Sequence, residues 1–316
     1  MWTHVLTGPG RLEGRDVPDL DPAELEDGQV LVRFEAGSIC GSDLPSFLGR
    51  RNAIVPAHGD PGYPLHEVVG KVAATRSDID VGARVVGWSH EMRGLAEYFI
   101  ATAHSLLVLE DTLTSVHATA IQPLCTVLHA LDRIPDIAGR HVAVIGQGTL
   151  GILFSHALKS LGASLVTGVD RVDRSDVATT FGVDEARWSH STNWANDLLD
   201  TERPDIVIEA VGHQAGTLND AVTAIAPEGT IFAFGVPDEA YYAFPFERFF
   251  RKNATILGGV ATQRRAALMK ARDYLERYPT LPDQYVTDVL PVDQAQLAYE
   301  TAARPAAGRL KVALAD

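Results

Sequence analysis

Cysteine is nearly absent. The 316 residues carry two, Cys40 and Cys125, too few for a disulfide framework and suited to a reducing compartment. Positive charge is scarce as well: 27 Lys and Arg stand against 41 Asp and Glu, a net charge of −14. Phosphate backbones and anionic membrane surfaces therefore repel the chain on average, and neither nucleic acid nor membrane is an expected partner. No stretch of about 18 uncharged apolar residues occurs, and Met1-Trp2-Thr3-His4 opens without a basic region leading into an apolar run. A membrane span and a signal peptide are not expected, and a cytoplasmic location is. Internal repeats, low-complexity tracts and long runs of one charge are missing too. What remains, 46% hydrophobic and 22% charged residues, is ordinary globular usage at a length that suits two domains and excludes disorder, collagen and coiled coil.

The first third alternates apolar and polar residues in short runs. Val30, Val32 and Phe34 lie on one side of 29–37, and 67–75, 83–88 and 95–109 are rich in Val, Ile and aromatics, which predicts antiparallel strands. From about 114 to 134 the period becomes helical, through Ala118, Ile121, Leu124, Cys125, Leu128 and Leu131. Strands at 141–145, 164–169, 205–210, 229–235 and 254–260 then alternate with helical stretches, the first at 150–161, and that rhythm predicts a doubly wound parallel sheet. After about Pro282 the pattern shortens again, and the tail is expected to rejoin the first domain. The expected boundaries are 1–118 with 282–316 for a β domain, and 119–281 for an α/β domain.

Between the strand at 141–145 and its helix lies Gly146-Gln147-Gly148-Thr149-Leu150-Gly151, a G-x-G-x-x-G arrangement. The first glycine permits a tight turn, the second lets a pyrophosphate approach the backbone, and the third allows close helix–strand packing. The helix N-terminus then offers free N–H groups to the phosphates. Asp170 ends the next strand, where a carboxylate accepts hydrogen bonds from both adenosine ribose hydroxyls and repels a 2′-phosphate, so NAD is expected. Arg171 and Arg174, close by in sequence, soften that preference.

Cys40-Gly41-Ser42-Asp43 ends one strand pattern and His66-Glu67 begins another. A thiolate, an imidazole and a carboxylate suit zinc, and a catalytic zinc keeps one position for water or substrate. Taken singly, a cysteine is more often a small buried apolar residue and a histidine a hydrogen-bonded core or loop residue.

With these segments in view the chain resembles the zinc-dependent medium-chain dehydrogenase/reductase family, the alcohol, sorbitol and sugar dehydrogenases. The likeness runs nearly end to end: Ile39 to Leu44, Pro64 to Gly70, Val81 to Gly87, Gln122-Pro123-Leu124, the glycine fingerprint, Pro227 to Thr230, and the closing Gly308-Arg309-Leu310-Lys311-Val312. The resemblance implies an α/β fold, a GroES-like β domain plus a Rossmann domain. It implies Cys40 and His66 as ligands of a catalytic zinc, Glu67 as a direct or exchanging ligand, and Gln122 at the third ligand position, where the family usually has Cys, Asp or Glu. Ser42 matches the hydroxyl that takes the alcohol proton, Asp43 the carboxylate that orients His66, and Thr126 a residue bordering the nicotinamide. Cys125, one turn beyond Gln122, matches a non-ligand position. The resemblance further implies a small-molecule alcohol substrate, namely a sugar, polyol or cyclitol, and a homodimer or homotetramer.

The chain departs from the family in three places. Pro45 stands where a histidine often passes the proton outward, Arg76 lies near the place of a glycine, and only 88–94 fills the place of a four-cysteine lobe, so no structural zinc is expected. Two rival readings share the fold: a zinc-free quinone or enoyl reductase, and a non-catalytic NAD-binding protein. Packing is the favoured reading for His129. Phe47, Trp88 and His90 by position either line the substrate pocket or are simply buried or exposed, and the aromatic run Tyr241 to Phe250 is core, pocket wall or subunit contact.

Overall fold

The computed structural model describes residues 1–50, 59–110 and 113–316. Among them the strands are β1 (Trp2–Gly8), β2 (Arg11–Asp16), β3 (Gln29–Ser38), β4 (Glu67–Thr75), β5 (Arg84–Trp88), β6 (Tyr98–Thr102), β7 (Leu106–Val108), β8 (His141–Ile145), β9 (Leu165–Asp170), β10 (Glu185–Trp188), β11 (Ile206–Glu209), β12 (Thr230–Ala233), β13 (Thr255–Gly258), β14 (Val286–Pro291) and β15 (Lys311–Ala315). They fall into two compact units: Met1–Cys125 with Thr262–Arg304 and Arg309–Asp316, and Thr126–Ala261 with Pro305–Gly308. The units part after Cys125 and Ala261, where the sequence reading puts boundaries after 118 and 281. The helix Arg264–Arg277 goes with the first unit because its opening arginines are tied there: Arg264 donates to Ser105 Oγ and Arg265 to the Ala103 and Leu106 carbonyls.

The first unit is built on a mixed sheet in the order β14-β15-β3-β4-β5-β7, with β6 also paired to β3. Only β14 and β15 run parallel; the other pairings are antiparallel. Val30, Val32 and Phe34 of β3 point into one core with Leu65, Val68, Phe99, Tyr299 and Leu314, the burial expected from their period-2 spacing. The expected strand at 95–109 is two strands, β6 and β7, separated by a 3-10 turn at Ala103–Ser105. The expected helix at 114–134 is likewise two, Ser115–Ala118 and Ile121–Leu131. At the break Thr119 turns its hydroxyl back to the Val116 carbonyl, a local bond that competes with helix continuation.

The second unit carries a six-stranded parallel sheet in the order β10-β9-β8-β11-β12-β13. Chain order reverses between β8 and β11, the place where ligands of doubly wound sheets bind. The middle strands are buried on both faces: Val142, Ala143, Val144, Val207 and Ile208 are each 0% exposed. Strand β10 escapes sequence reading because Glu185-Ala186-Arg187-Trp188 is a mostly exposed edge with no apolar face to alternate. Among the described residues no helix is long and apolar enough to cross a membrane.

Candidate functional site

At the end of β3 the chain turns through Cys40 to Asp43, with the Asp43 N–H donating to the Cys40 carbonyl, and enters the short helix Leu44–Phe47. Pro45 sits in its first turn, where no partner for a backbone N–H is required. Across the sheet Ser38 of β3 stands opposite Glu67, the first residue of β4. This register brings the two ends together, so ligand atoms of Cys40, His66 and Glu67 all lie within 4.8 Å of one another.

Asp43 organises the cluster from beneath. It is fully buried, one carboxylate oxygen accepts the Cys40 N–H at 2.8 Å, and the other lies 2.8 Å from His66 Nδ1. Nδ1 is thereby occupied and Nε2 is the ring atom left for the cluster, the usual way a carboxylate fixes the tautomer of a ligating histidine. Burial opposes a charged His66, but the Asp43 charge and hydrogen bond, with the Cys40 sulfur, hold its pKa well above the ordinary value.

Glu67 is 0% exposed, and its two oxygens differ. Oε2 accepts from Ser38 Oγ and pairs with Lys311 Nζ at 2.5 Å; Oε1 is buried without a hydrogen-bond partner. A buried carboxylate oxygen left in this way, beside a thiol and an imidazole, is the donor set a zinc ion takes. Lys311, also 0% exposed, donates in addition to the Ile39 carbonyl at 3.1 Å. Burial opposes its charge, yet the Glu67 carboxylate outweighs that and keeps it protonated far above neutrality.

Of the remaining expected residues in this unit, Gln122 is buried in the first turn of the helix Ile121–Leu131, and Ser42 is half-buried in the turn between Cys40 and Asp43. Cys125 is fully buried, and its thiol is driven above the ordinary range first by desolvation and then by the Glu67 charge. Phe47 belongs to the core, packed on Tyr299 with ring centroids 5.3 Å apart. Trp88 stands opposite Glu67 on β5 and carries the Arg264 guanidinium over its ring, while His90 is exposed. Sequence reading assigns Lys311 and Ser38 no role in the site. The available signal for the first was a lone charge in the strand Leu310-Lys311-Val312-Ala313-Leu314, otherwise apolar.

In the second unit the glycine loop joins β8 to the helix Thr149–Ser160, with Leu150 in its first turn. Gly146 has φ +91°, a conformation that disfavours a side chain. A Cβ on Gly151 would lie 1.7 Å from the Gly146 carbonyl oxygen, so helix and strand pack at contact; one on Gly148 would meet nothing within 4 Å. The open space over Gly148, at the N-terminus of a twelve-residue helix, has the room and the free N–H groups that a phosphate would need. Asp170 ends β9 and braces this loop, accepting the Gln147 N–H at 2.6 Å on one oxygen and the Val172 N–H at 2.8 Å on the other. Beside it lies a narrow cleft lined by Gln147, Gly168, Arg174 and Arg187 among others. Arg171 is exposed and gives its carbonyl to the Trp188 indole; Thr126 is half-buried.

Known proteins share both halves. The alcohol dehydrogenase GroES-like domain family matches residues 26–111, and the glucose dehydrogenase C-terminus family matches 109–314. D-arabinitol dehydrogenase 1 of Uromyces fabae is 26% identical, covering 90% of this chain and 88% of its own. D-altritol 5-dehydrogenase of Agrobacterium fabrum is 28% identical, covering 80% and 83%. The solved structure of an alcohol dehydrogenase from Thermus sp. ATN1 superposes with a TM-score of 0.83 at 26% identity over 100% of both chains. The chain belongs to the zinc-type medium-chain alcohol and sugar dehydrogenases, oxidoreductases that act on alcohols.

Proposed function

We propose that the protein oxidises a secondary alcohol of a sugar, polyol or cyclitol, reversibly, with NAD as hydride acceptor and one catalytic zinc. The observation that carries this reading is the convergence of Cys40, His66 and Glu67 under the Asp43 brace. Substrate class follows the relatives, among them dehydrogenases named for D-arabinitol and D-altritol. Two cysteines cannot furnish a four-cysteine structural site, so one metal per chain is the expected content.

Cys40 and His66 would hold a zinc ion, with Glu67 as a direct or exchanging ligand and Gln122 as a neutral donor, so that one position stays available to substrate. Zinc in such a site supplies Lewis acidity that lowers the pKa of an alcohol at the open position. Ser42, beside the cluster in sequence, takes the hydroxyl proton. Asp43 keeps His66 in the tautomer that ligates and fixes the Cys40 backbone, so neither ligand reorganises during turnover. In the other unit the loop Gly146 to Gly151 binds the pyrophosphate, Asp170 and Arg171 flank the adenosine ribose, and Thr126 borders the nicotinamide. Subunits pair as a homodimer or homotetramer through the outer edge of β13, near which Phe246 and Phe250 are 64% and 68% exposed. Two unpaired cysteines suit the cytoplasm.

The test is metal analysis of protein never exposed to chelator, followed by a polyol panel read by NADH absorbance. About one zinc per chain and turnover of at least one polyol are expected. Metal-free protein, or metal without turnover across the panel, overturns the assignment.

A further inference from the structure

The buried pair Glu67–Lys311 is unusual for where it lies. Glu67 belongs to the ligand cluster, and its charge is already answered by an ammonium that no solvent reaches. The arrangement is built and not incidental. Lys311 is held by the sheet: β15 pairs with β3, the Ile39 N–H donates to the Val312 carbonyl, and the Lys311 Nζ returns to the Ile39 carbonyl. Ser38, next along β3, adds a hydrogen bond to the same oxygen that Lys311 occupies. All polar support converges on Oε2, and Oε1 alone has none.

We propose that Lys311 is a positioning residue that competes with the metal for Glu67. It clamps Oε2 so that only Oε1 turns to the ion, and it cancels the carboxylate charge that a permanent ligand would bring. Cys40 is then the one anionic donor whose charge is not matched, because His66 and Gln122 are neutral ligands. The ion is held less tightly than its donor set allows and keeps more of its positive charge for the alcohol, and in the metal-free protein the buried Glu67 charge stays paired. Elementary electrostatics gives the sign: once the ammonium on Oε2 is removed, the unmatched charge of the buried Glu67 carboxylate is answered by the ion, which is then bound more tightly. The proposal rests on the metal assignment above.

The experiment measures zinc affinity of the full chain by competition with a chromophoric chelator, for wild type, Lys311→Met, Lys311→Gln, Lys311→Arg and the Glu67→Gln pair with and without Lys311→Met. Lys311→Met is expected to bind zinc about 10- to 100-fold more tightly, the range over which residues behind the ligands move metal affinity. Its metal-free form melts at a lower temperature than wild type, and zinc raises its melting point by more. Lys311→Arg restores the wild-type affinity. In the Glu67→Gln background the same lysine deletion moves affinity by less than about threefold, because no carboxylate is left to compete for. Lys311→Gln keeps a donor to Oε2 without the charge, so it reports the same tightening should the methionine variant not fold. Unchanged or weaker zinc binding in the uncharged variants, or a gain as large without Glu67, overturns the competition. Wild type that binds no zinc overturns the metal assignment instead, so the two failures are told apart.

Discussion

The two sites of this chain are built from opposite materials. The glycine loop in the second unit is made of backbone: three glycines within six consecutive residues, a helix N-terminus and one carboxylate. The Cys40–His66–Glu67 cluster in the first unit is made of side chains from β3, β4, β15 and the turns around them, and its charges are buried and answer one another. A site made of backbone tolerates changes of side chain but not of space. One made of buried charges tolerates neither the loss of a charge nor the loss of its partner.

The largest break in that contrast comes from the ligands themselves. Cys40→Ser and His66→Ala are each expected to lose zinc and to lower alcohol oxidation by at least about 10³-fold, since the Lewis acid is worth several kcal/mol to the reaction. Nucleotide binding, read by quenching of tryptophan fluorescence or by calorimetry, stays within a factor of about 2, because the loop at 146–151 shares no residue with the cluster. Loss of cofactor binding along with metal would show that the sites are not separately built. The converse test is Gly151→Ala. Its new methyl would sit 1.7 Å from the Gly146 carbonyl, a backbone atom that cannot rotate away, and overpacking of this kind costs about 1–3 kcal/mol or more. Urea unfolding with a normal zinc content is the expected result: a lower midpoint, metal retained.

The same contrast decides what could be read without a structure. The loop was legible because its chemistry is consecutive and each glycine has one steric duty, seen in the φ of Gly146 and the contact at Gly151. Cys40 and His66 carried no such signal of their own, and only the likeness of their flanking segments to a known family joined them. The Glu67 partnership with Lys311 was illegible, since pairing β15 with β3 brings together residues more than two hundred positions apart. Short pieces failed for local reasons. Thr119 broke the expected long helix by bonding back to Val116, and β10 has no apolar face to reveal it.

A middle-sized effect is expected at Asp43, which touches the cluster without joining it. Asp43→Asn keeps the size of the side chain and one oxygen, but its amide nitrogen offers hydrogens where Cys40 N–H or His66 Nδ1–H needs an acceptor. Zinc affinity is expected to fall about 10- to 100-fold, while the glycine loop and its cofactor affinity are untouched. An unchanged zinc affinity would show that the carboxylate has no part in orienting His66.

The smallest effect is expected where the backbone-built site depends on a side chain. Asp170 does two things at once: it braces the loop through the Gln147 N–H and the Val172 N–H, and it presents a negative charge beside Arg174 and Arg187 at the cleft. Asp170→Ser loosens the loop for either cofactor, so absolute rates fall with both NAD and NADP and say nothing about recognition. The ratio of kcat/KM for NADP to that for NAD cancels the loop and isolates the charge. It is expected to rise about tenfold, close to the worth of one hydrogen bond to a charged group, because a 2′-phosphate is no longer repelled and the ribose hydroxyls lose their acceptor. A ratio that stays put while both rates drop would make Asp170 a brace alone and leave the choice of cofactor to the arginines around it.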